Sequence, residues 1–182
     1  ALRGPVAPTA SRGGAHRAYR LASRVTGPSV VRCPLRAADD DAPVLGLHRL
    51  GARTETGETG VRFQPSTLAP PVEPLDCRNA GTTLRFMAAT AARFSVPVRL
   101  IGDESLSRRT SAPLWEALRR LGVQVESKGG CSPIRVQAHL RPDHVKLPSS
   151  VSSQLAAWIA LALHFLDPPY TLRLVPPCSF PP

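Results

Sequence analysis

Lysine is scarce in this chain, and aromatic residues are few. Only two of the 23 basic residues are lysines, Lys128 and Lys146, and aromatic residues make up 5% of the chain. Acidic residues number 13, so the formal net charge is +10. Because arginine forms bidentate hydrogen bonds with carboxylate and phosphate groups, this composition favours an anionic partner or substrate. A solvated basic surface, or a compositional bias towards arginine, explains the same numbers without a ligand.

Features typical of nucleic-acid and membrane proteins are also missing from the sequence. No basic run is interleaved with aromatic residues and no nucleic-acid-reading motif occurs, so we expect no nucleic-acid partner. The longest apolar run, 155–166, is too short to span a bilayer and contains His164. The basic start is not followed by an apolar segment of signal-peptide length. We therefore expect no membrane partner and a cytoplasmic location.

The cysteines and histidines do not form a metal-binding or redox motif. The four cysteines are far apart in the sequence and include no CxxC pair. The five histidines show no spacing typical of metal ligands. We therefore predict no metal site, and we expect free thiols in a reducing compartment.

An internal repeat is the strongest indication of the fold. The nine residues 47–55 resemble residues 118–126, and both segments share a Leu-x-Arg-Leu-Gly core and a trailing glutamate. Each is typical of a helix end, a glycine C-cap and an extended strand. Other predicted helices and strands also recur at this offset of about 70 residues. We predict strands at 29–32, 96–101 and 170–175, and helices at 40–50 and 111–121.

The repeat predicts a mixed α/β (α+β) fold of βαβαββ units, two of them complete and a third truncated. A fixed period outweighs local propensity as an indication of architecture. Residues 1–182 are then a single, incomplete domain. Coincidence between unrelated α/β segments is the alternative explanation.

Four clusters of small and polar residues carry the candidate chemistry. Three of them lead into predicted helices, and the fourth follows the strand of the second unit; they are residues 11–17, 79–85, 149–154 and 102–109. In the second cluster we expect Gly81 to let the backbone approach closely and Thr82 or Thr83 to cap the helix that follows. Equivalent turns of a repeated fold lie at one end of the domain. Hydroxyl groups, helix N-termini and guanidinium groups would then converge on a small ligand with several negative groups. Ordinary capping and solvated arginines explain each cluster taken singly.

These motifs, in this order, resemble the 5-enolpyruvylshikimate-3-phosphate synthases, the enolpyruvyl transferases of the shikimate pathway. The resemblance runs from about Gly4 to the end of the chain. The segments that carry it are Asn79-Ala80-Gly81-Thr82 with Arg85, Gly102-Asp103-Glu104-Ser105-Leu106 with Arg109, Ser152-Ser153-Gln154, His16-Arg17-Ala18 and Gly27-Pro28-Ser29-Val30. The resemblance implies two similar domains, each of three βαβαββ units. It also implies that the 5-hydroxyl of shikimate 3-phosphate adds to phosphoenolpyruvate and that phosphate leaves, with no metal or organic cofactor.

The resemblance also implies roles for individual residues. The residues it places against shikimate 3-phosphate are Arg12, Gly13, Arg17, Ser152, Ser153, Gln154 and Ser179. The residues it places against phosphoenolpyruvate are Arg12, Gly81, Arg109 and Gln154. A guanidinium group suits a carboxylate or phosphate, and a glycine lets a ligand lie against the backbone.

The chain departs from the family pattern in its first turn. The family has Ser-Lys-Ser where this chain has Ser11-Arg12-Gly13, so Arg12 stands at the position of a catalytic lysine. Arginine keeps the positive charge but is a poor proton donor or acceptor near neutrality. Gly13 lacks a hydroxyl group for the substrate. Another departure is Arg78, which stands where the family usually has glycine.

The family's second domain, which supplies an acidic base and further basic groups, has no counterpart here. We therefore expect one half of an active site, inactive alone, with a C-terminal half as its partner. A non-catalytic anion-binding domain derived from the family is the alternative, and the changed first turn favours it. The sister enzyme that acts on a UDP-sugar is disfavoured by Ser152-Ser153-Gln154 and by residues 102–106. An unfinished third unit would also expose apolar helix surface at Trp158 and Leu161 and favour association.

Overall fold

Helices and short strands alternate along the chain. The computed structural model describes residues 11–32, 41–138, 145–148, 153–163 and 172–175. The helices in these ranges are α1 Arg12–Ala22, α2 Asp41–Arg49, α3 Gly81–Ala91, α4 Glu104–Ser107, α5 Ala112–Arg120 and α6 Ser153–Leu163. The strands are β1 Ser29–Val31, β2 Arg53–Gly57, β3 Gly60–Gln64, β4 Leu75–Asp76, β5 Val98–Ile101, β6 Val123–Lys128, β7 Cys131–Ala138, β8 Val145–Pro148 and β9 Leu172–Val175. The helices and strands predicted from the repeat are confirmed, with bounds shifted by up to two residues.

In the described ranges the strands form three small sheets that share parts of their topology. In the first sheet the order is β1-β3-β2, and in the second it is β4-β5-β7-β6. Strand β5 pairs with β7 and β7 with β6 in the antiparallel sense, as β1 does with β3 and β3 with β2. Strands β4 and β5 are parallel, and so are β8 and β9 of the third sheet. The predicted mixed α/β fold is confirmed. The number of complete units, and the assignment of 1–182 to one domain, stay predictions.

Corresponding rows of side chains cross the first two sheets. The row on the first sheet is Val30, Arg62 and Glu55, and the row on the second is Arg99, Arg135 and Glu126. All six side chains are exposed, and Arg135 lies 3.6 Å from the Glu126 carboxylate. The two glutamates are the ones that end the repeated nine-residue segments, so the sequence repeat is also a repeat of strand register.

Two glycines end the equivalent helices α2 and α5. Gly51 has φ +93° and Gly122 has φ +84°, both in the left-handed region that glycine adopts at little cost. Strand β2 follows the first glycine and β6 follows the second. The predicted sequence of helix end, glycine and strand is therefore confirmed at both places.

Helix α3 lies at the centre of the fold. Eight of its residues are buried, from Thr83 to Ala91, and it contacts α1, α2 and α6. A helix that is apolar on nearly all faces is stable only when other elements surround it. The buried hydroxyl of Thr90 donates a hydrogen bond of 2.9 Å to the carbonyl of Phe86, so this polar group is satisfied within the helix.

Three aromatic rings join helices α1, α3 and α6. The ring of Phe86 lies 5.7 Å from His16 and 5.8 Å from Trp158, and the His16 and Trp158 rings are 6.4 Å apart. Trp158 is only 2% exposed, and Leu161 packs against the core. The prediction that an unfinished third unit exposes Trp158 is therefore wrong, because α1 and α3 cover this ring.

Arginines gather at the C-terminal ends of α1 and α3. Arg20 lies in the last turn of α1 and is buried, and Arg93 follows the end of α3 with its guanidinium 5.6 Å from the Phe94 ring centre. Burial, and after it the charges of Arg93 and Arg24, lower the pKa of Arg20 to about 9. The partial negative charge at helix C-termini offsets part of this repulsion.

Candidate anion-binding site

Two of the predicted clusters lie side by side in the second unit. Strands β4 and β5 are parallel, so the segments that follow them leave the same edge of the sheet. The amide of Cys77 donates to the carbonyl of Ile101 at 2.9 Å, and the amide of Asp103 donates to the carbonyl of Arg78 at 3.0 Å. The structure therefore brings the 79–85 cluster and the 102–109 cluster together.

Arg109 connects these two clusters through its side chain. Its Nη2 donates to the Ser105 hydroxyl at 2.7 Å and also to the amide oxygen of Asn79. A guanidinium group carries five N–H donors, so further donors are available to a ligand. The side chain is exposed, which leaves it accessible from solvent.

The start of α3 differs from the starts of α1 and α4. Ser11 caps α1 by accepting a hydrogen bond from the Gly14 amide, and Asp103 caps α4 by accepting one from the Leu106 amide. The N-cap of α3 is Ala80, which has no side chain able to accept such a bond. The amide groups of the first turn of α3 thus lack a side-chain cap, and they carry the partial positive charge of a helix start.

The expectation that Thr82 or Thr83 caps α3 is wrong. The helix begins at Gly81, so both threonines already lie inside its first turn. Thr83 is fully buried and faces the core of the protein. A cap must precede the first helical residue, and that position belongs to Ala80.

Arg85 adds a second guanidinium beside Gly81. Its Nη2 lies 3.9 Å from the position that a Cβ atom on Gly81 would occupy, and its Nε donates to the Ser111 hydroxyl at 3.2 Å. The motif pointed to Arg85, but the residue was not predicted to bind ligand. The signal was its spacing of four residues from Gly81, which places both residues on one face of the helix.

Cys77 lies in the same turn but is not a nucleophile. Burial, and after it the charge of Asp76, raise the pKa of the Cys77 thiol to about 12. The thiolate is the reactive form, so this thiol is inert near neutral pH. The groups that this part of the site offers to a ligand are therefore guanidinium and amide donors, which suit an anion.

The residues predicted in the first turn open helix α1. Arg12 and Gly13 are its first two residues, and the exposed side chain of Arg17 donates from Nε to the Gly13 carbonyl at 3.0 Å. The side chain of Arg12 lies outside the described part of the structure.

The residues predicted in the third turn open helix α6. Ser153 and Gln154 are its first two residues, and their side chains lie outside the described part. Ser152 and Ser179 lie outside the described residues altogether. The roles proposed for these four residues in substrate binding stay predictions.

The aromatic cluster lies at similar positions along three helices. His16 is the fifth residue of α1, while Phe86 and Trp158 are the sixth residues of α3 and α6. At a rise of roughly 1.5 Å per residue, each helix therefore begins about 6–8 Å along its axis from the shared cluster. Arg12, Gly81 and Ser153 are the first residues of these helices.

The described ranges show neither a group of three or more His, Cys, Asp or Glu side chains placed to hold a metal ion nor a helix long and apolar enough to cross a membrane.

Arg78 adopts a backbone conformation that glycine adopts more readily. Its φ is +49°, in the left-handed region, and its amide donates to the Asp76 carboxylate at 2.8 Å. A side chain in this region costs about 1–2 kcal/mol, whereas glycine has little steric cost there but loses about 0.5–1 kcal/mol of backbone entropy on folding.

Replacing Arg78 with glycine is expected to stabilise the protein. The steric cost that is removed exceeds the backbone entropy that glycine loses, so the free energy of unfolding is expected to rise by about 0.5–1 kcal/mol. For a chain of this size, this corresponds to a rise in melting temperature of roughly 1–4 °C. Thermal unfolding followed by circular dichroism measures it. Arg78→Ala is the matched control, since it removes the same side chain and keeps the Cβ atom. Equal melting temperatures for the two variants would contradict a backbone origin.

Comparisons with known proteins show which family this chain resembles. The family model described as EPSP synthase (3-phosphoshikimate 1-carboxyvinyltransferase) matches residues 1–175. A 3-phosphoshikimate 1-carboxyvinyltransferase of Methanocorpusculum labreanum is 33% identical over 155 residues, covering 84% of this chain and 37% of the relative. The protein of the same name from Methanococcoides burtonii is 36% identical over 168 residues, covering 88% of this chain and 38% of the relative.

Solved structures show the same fold. An EPSP synthase from Acinetobacter baumannii superposes with a TM-score of 0.75 at 23% identity, over 85% of this chain and 36% of that one. The enolpyruvyl transferase NikO from Streptomyces tendae gives a TM-score of 0.56 at 21% identity, over 89% of this chain and 38% of that one. The chain thus spans little more than a third of the length of the proteins it matches. Since the family model covers nearly all of these 182 residues, the chain belongs to the EPSP synthase family.

Proposed function

We propose that this chain forms part of the active site of a 3-phosphoshikimate 1-carboxyvinyltransferase. In this reaction the 5-hydroxyl of shikimate 3-phosphate adds to phosphoenolpyruvate, and the tetrahedral adduct then loses phosphate. The observation that supports it most directly is Arg109, held by Asn79 and Ser105 beside the uncapped start of α3. A guanidinium and a helix start together provide the donors that a phosphate or carboxylate needs.

In this proposal phosphoenolpyruvate lies against Gly81 and Arg109. Phosphoenolpyruvate carries a phosphate and a carboxylate, so it needs donors on more than one side. Arg109 approaches from the 102–109 cluster and the α3 amides from the 79–85 cluster, and the two clusters are hydrogen-bonded to each other. Such fixed positioning is the main contribution that a binding site makes to the joining of two substrates.

Shikimate 3-phosphate is proposed to lie against the starts of α1 and α6. The residues concerned are Arg12, Gly13, Arg17, Ser152, Ser153, Gln154 and Ser179. The contacts among α1, α3 and α6, which share the aromatic cluster, support a shared site. Arg12 and Gln154 are the proposed links between the two substrates.

The remaining groups of the site are proposed to come from a second domain. Proton transfer needs a group that changes charge near neutrality, and Arg12 at the lysine position serves this poorly. A C-terminal half would be the partner of this chain, since the chain covers 37% of a named relative.

Binding of phosphoenolpyruvate tests the proposal. Isothermal titration of the 182-residue chain is expected to show saturable binding, and Arg109→Ala is expected to weaken it about 10- to 100-fold, since a charged hydrogen bond contributes about 1.5–3 kcal/mol. Arg99→Ala is the matched control, because it removes an exposed arginine from β5 of the same unit. No binding by the unaltered chain, or equal losses in the two variants, would contradict the proposal.

A non-catalytic anion-binding domain is the second candidate. The observation that favours it is the Ser11-Arg12-Gly13 turn, which lacks the lysine and the second serine of the family. Mixing the chain with the separately expressed C-terminal part of a relative, and measuring phosphate release from both substrates, distinguishes the two candidates. Turnover supports the transferase, and binding without turnover supports the non-catalytic domain.

A further inference from the structure

Arg85 is a half-buried cation without a compensating carboxylate in the described ranges. The guanidinium makes no ion pair with any Asp or Glu of residues 11–32 and 41–138, and its Nε donates to the neutral hydroxyl of Ser111 at 3.2 Å. Burying a charge is costly unless an opposite charge or several hydrogen bonds accompany it. The position of Arg85 therefore suits a guanidinium that meets its anion only when ligand binds.

Ser111 is held in place by the turn between β6 and β7. Its amide donates to the carbonyl of Gly130 at 3.0 Å, and the indole of Trp115 donates to the same carbonyl at 2.8 Å. Ser111 itself is only 5% exposed. The hydroxyl that accepts the Arg85 hydrogen bond thus belongs to a buried residue whose backbone is hydrogen-bonded to the turn between β6 and β7.

The hydroxyl of Ser111 does not cap helix α5, although Ser111 is the N-cap residue. Ser111 is the N-cap of α5, where a serine normally accepts a hydrogen bond from the helix, but it makes no such bond. Its hydroxyl oxygen is turned to Arg85, 26 residues away in sequence. Because a serine N-cap normally contributes about 1 kcal/mol to its helix, the use of this hydroxyl elsewhere points to a positioning role.

Arg85 and Arg109 reach the start of α3 from different elements. Arg85 comes from α3 itself and lies beside Gly81, with Nη2 3.9 Å from the position of a Gly81 Cβ atom. Arg109 comes from the turn after α4 and bonds to Asn79, two residues before Gly81. A ligand with a phosphate and a carboxylate offers each of these two cations an anionic partner.

We propose that Arg85 is a second anion-binding residue at Gly81 and that Ser111 is its positioning residue. Ser111 accepts from Nε, which leaves the two Nη groups of Arg85 to face the ligand at the start of α3. The identity of the ligand rests on the function proposed above. The turn between β6 and β7 supports the site through Ser111, although it contributes no ligand group of its own.

Titration of four variants with phosphoenolpyruvate tests the assignment. Arg85→Gln is expected to weaken binding at least 10-fold, and Arg85→Lys less than that, because lysine keeps the charge but not the forked donors. Ser111→Ala is expected to weaken binding about 3- to 10-fold with every charge intact, and Ser111→Thr, which restores a hydroxyl, to recover most of it. If Ser111 had only a structural role, Ser111→Ala would change the urea midpoint of unfolding, and the affinity for phosphoenolpyruvate would not follow this pattern of loss and recovery.

The control separates the failure of this inference from failure of the proposed function. Arg99→Gln removes the same charge from an exposed strand position and is expected to leave binding nearly unchanged. If the unaltered chain does not bind phosphoenolpyruvate, the proposed function fails. If it binds and Arg85→Gln behaves like Arg99→Gln, or Ser111→Ala binds like the unaltered chain, the inference is overturned while the proposed function stands.

Discussion

Replacing Phe86 with alanine is expected to remove about 3–5 kcal/mol from the free energy of unfolding. The ring is 1% exposed and contacts both His16 and Trp158, so its loss leaves a cavity where three helices meet. Surrounding side chains fill such a cavity only in part, and the lost contacts add to the lost transfer free energy. Since single domains are stable by only about 5–15 kcal/mol, this is a large fraction of the total.

Urea unfolding followed by tryptophan fluorescence measures this loss. The signal is informative because Trp158 belongs to the same cluster, so its emission reports the environment that the substitution changes. Leu21→Ala is the control on α1, since Leu21 is 47% exposed and its truncation opens no cavity. A loss for Phe86→Ala no larger than that of Leu21→Ala would contradict the central role of the cluster.

Replacing Gly102 with alanine is expected to damage the site more than the fold. A Cβ atom at this position would lie 2.9 Å from the carbonyl oxygen of Arg78 and 3.0 Å from Cβ of Leu106. The carbonyl is backbone and accepts the Asp103 amide, so it cannot move aside without separating the 79–85 and 102–109 clusters. Overpacking of this kind costs about 1–3 kcal/mol.

The loss of binding is expected to exceed what this instability explains. Separation of the clusters breaks the alignment of Arg109 with Asn79, and we expect phosphoenolpyruvate affinity to fall at least 10-fold, which is about 1.4 kcal/mol. Titration calorimetry below the melting temperature of the variant measures it. Gly57→Ala is the matched control, because a Cβ atom there would have as its nearest neighbour the Gly60 carbonyl oxygen at 3.8 Å. Unchanged affinity in Gly102→Ala would show that the contact between the clusters is not needed.

Local sequence signals predicted the elements of the fold well. The glycine C-caps at Gly51 and Gly122, and the strands that follow them, depend on neighbours only a few residues away. The same is true of Ser11, which caps α1 as a serine before a helix is expected to do. The 79–85 and 102–109 clusters were predicted to converge because equivalent turns of a repeated fold lie at one end of the domain.

What the sequence did not predict depends on contacts between distant segments. Trp158 is buried because α1 and α3, which lie far away in the sequence, provide its surroundings. Ser111 stood at the start of the helix predicted over 111–121, and only the tertiary structure shows that its hydroxyl accepts a hydrogen bond from Arg85. We did not predict that the start of α3 lacks a side-chain cap, because Thr82 and Thr83 suggested a cap further along the chain than Ala80, where the N-cap lies.

The cations described around Gly81 are guanidinium groups, and this has a consequence for the shape of the ligand. A guanidinium presents its N–H donors in a rigid, planar fork, whereas an ammonium group can rotate its three donors. Arg109 is held by Asn79 and Ser105, and Arg85 is held by Ser111, so the directions of their remaining donors are constrained. We therefore expect this half of the site to select a ligand by the directions of its acidic groups as well as by their charge.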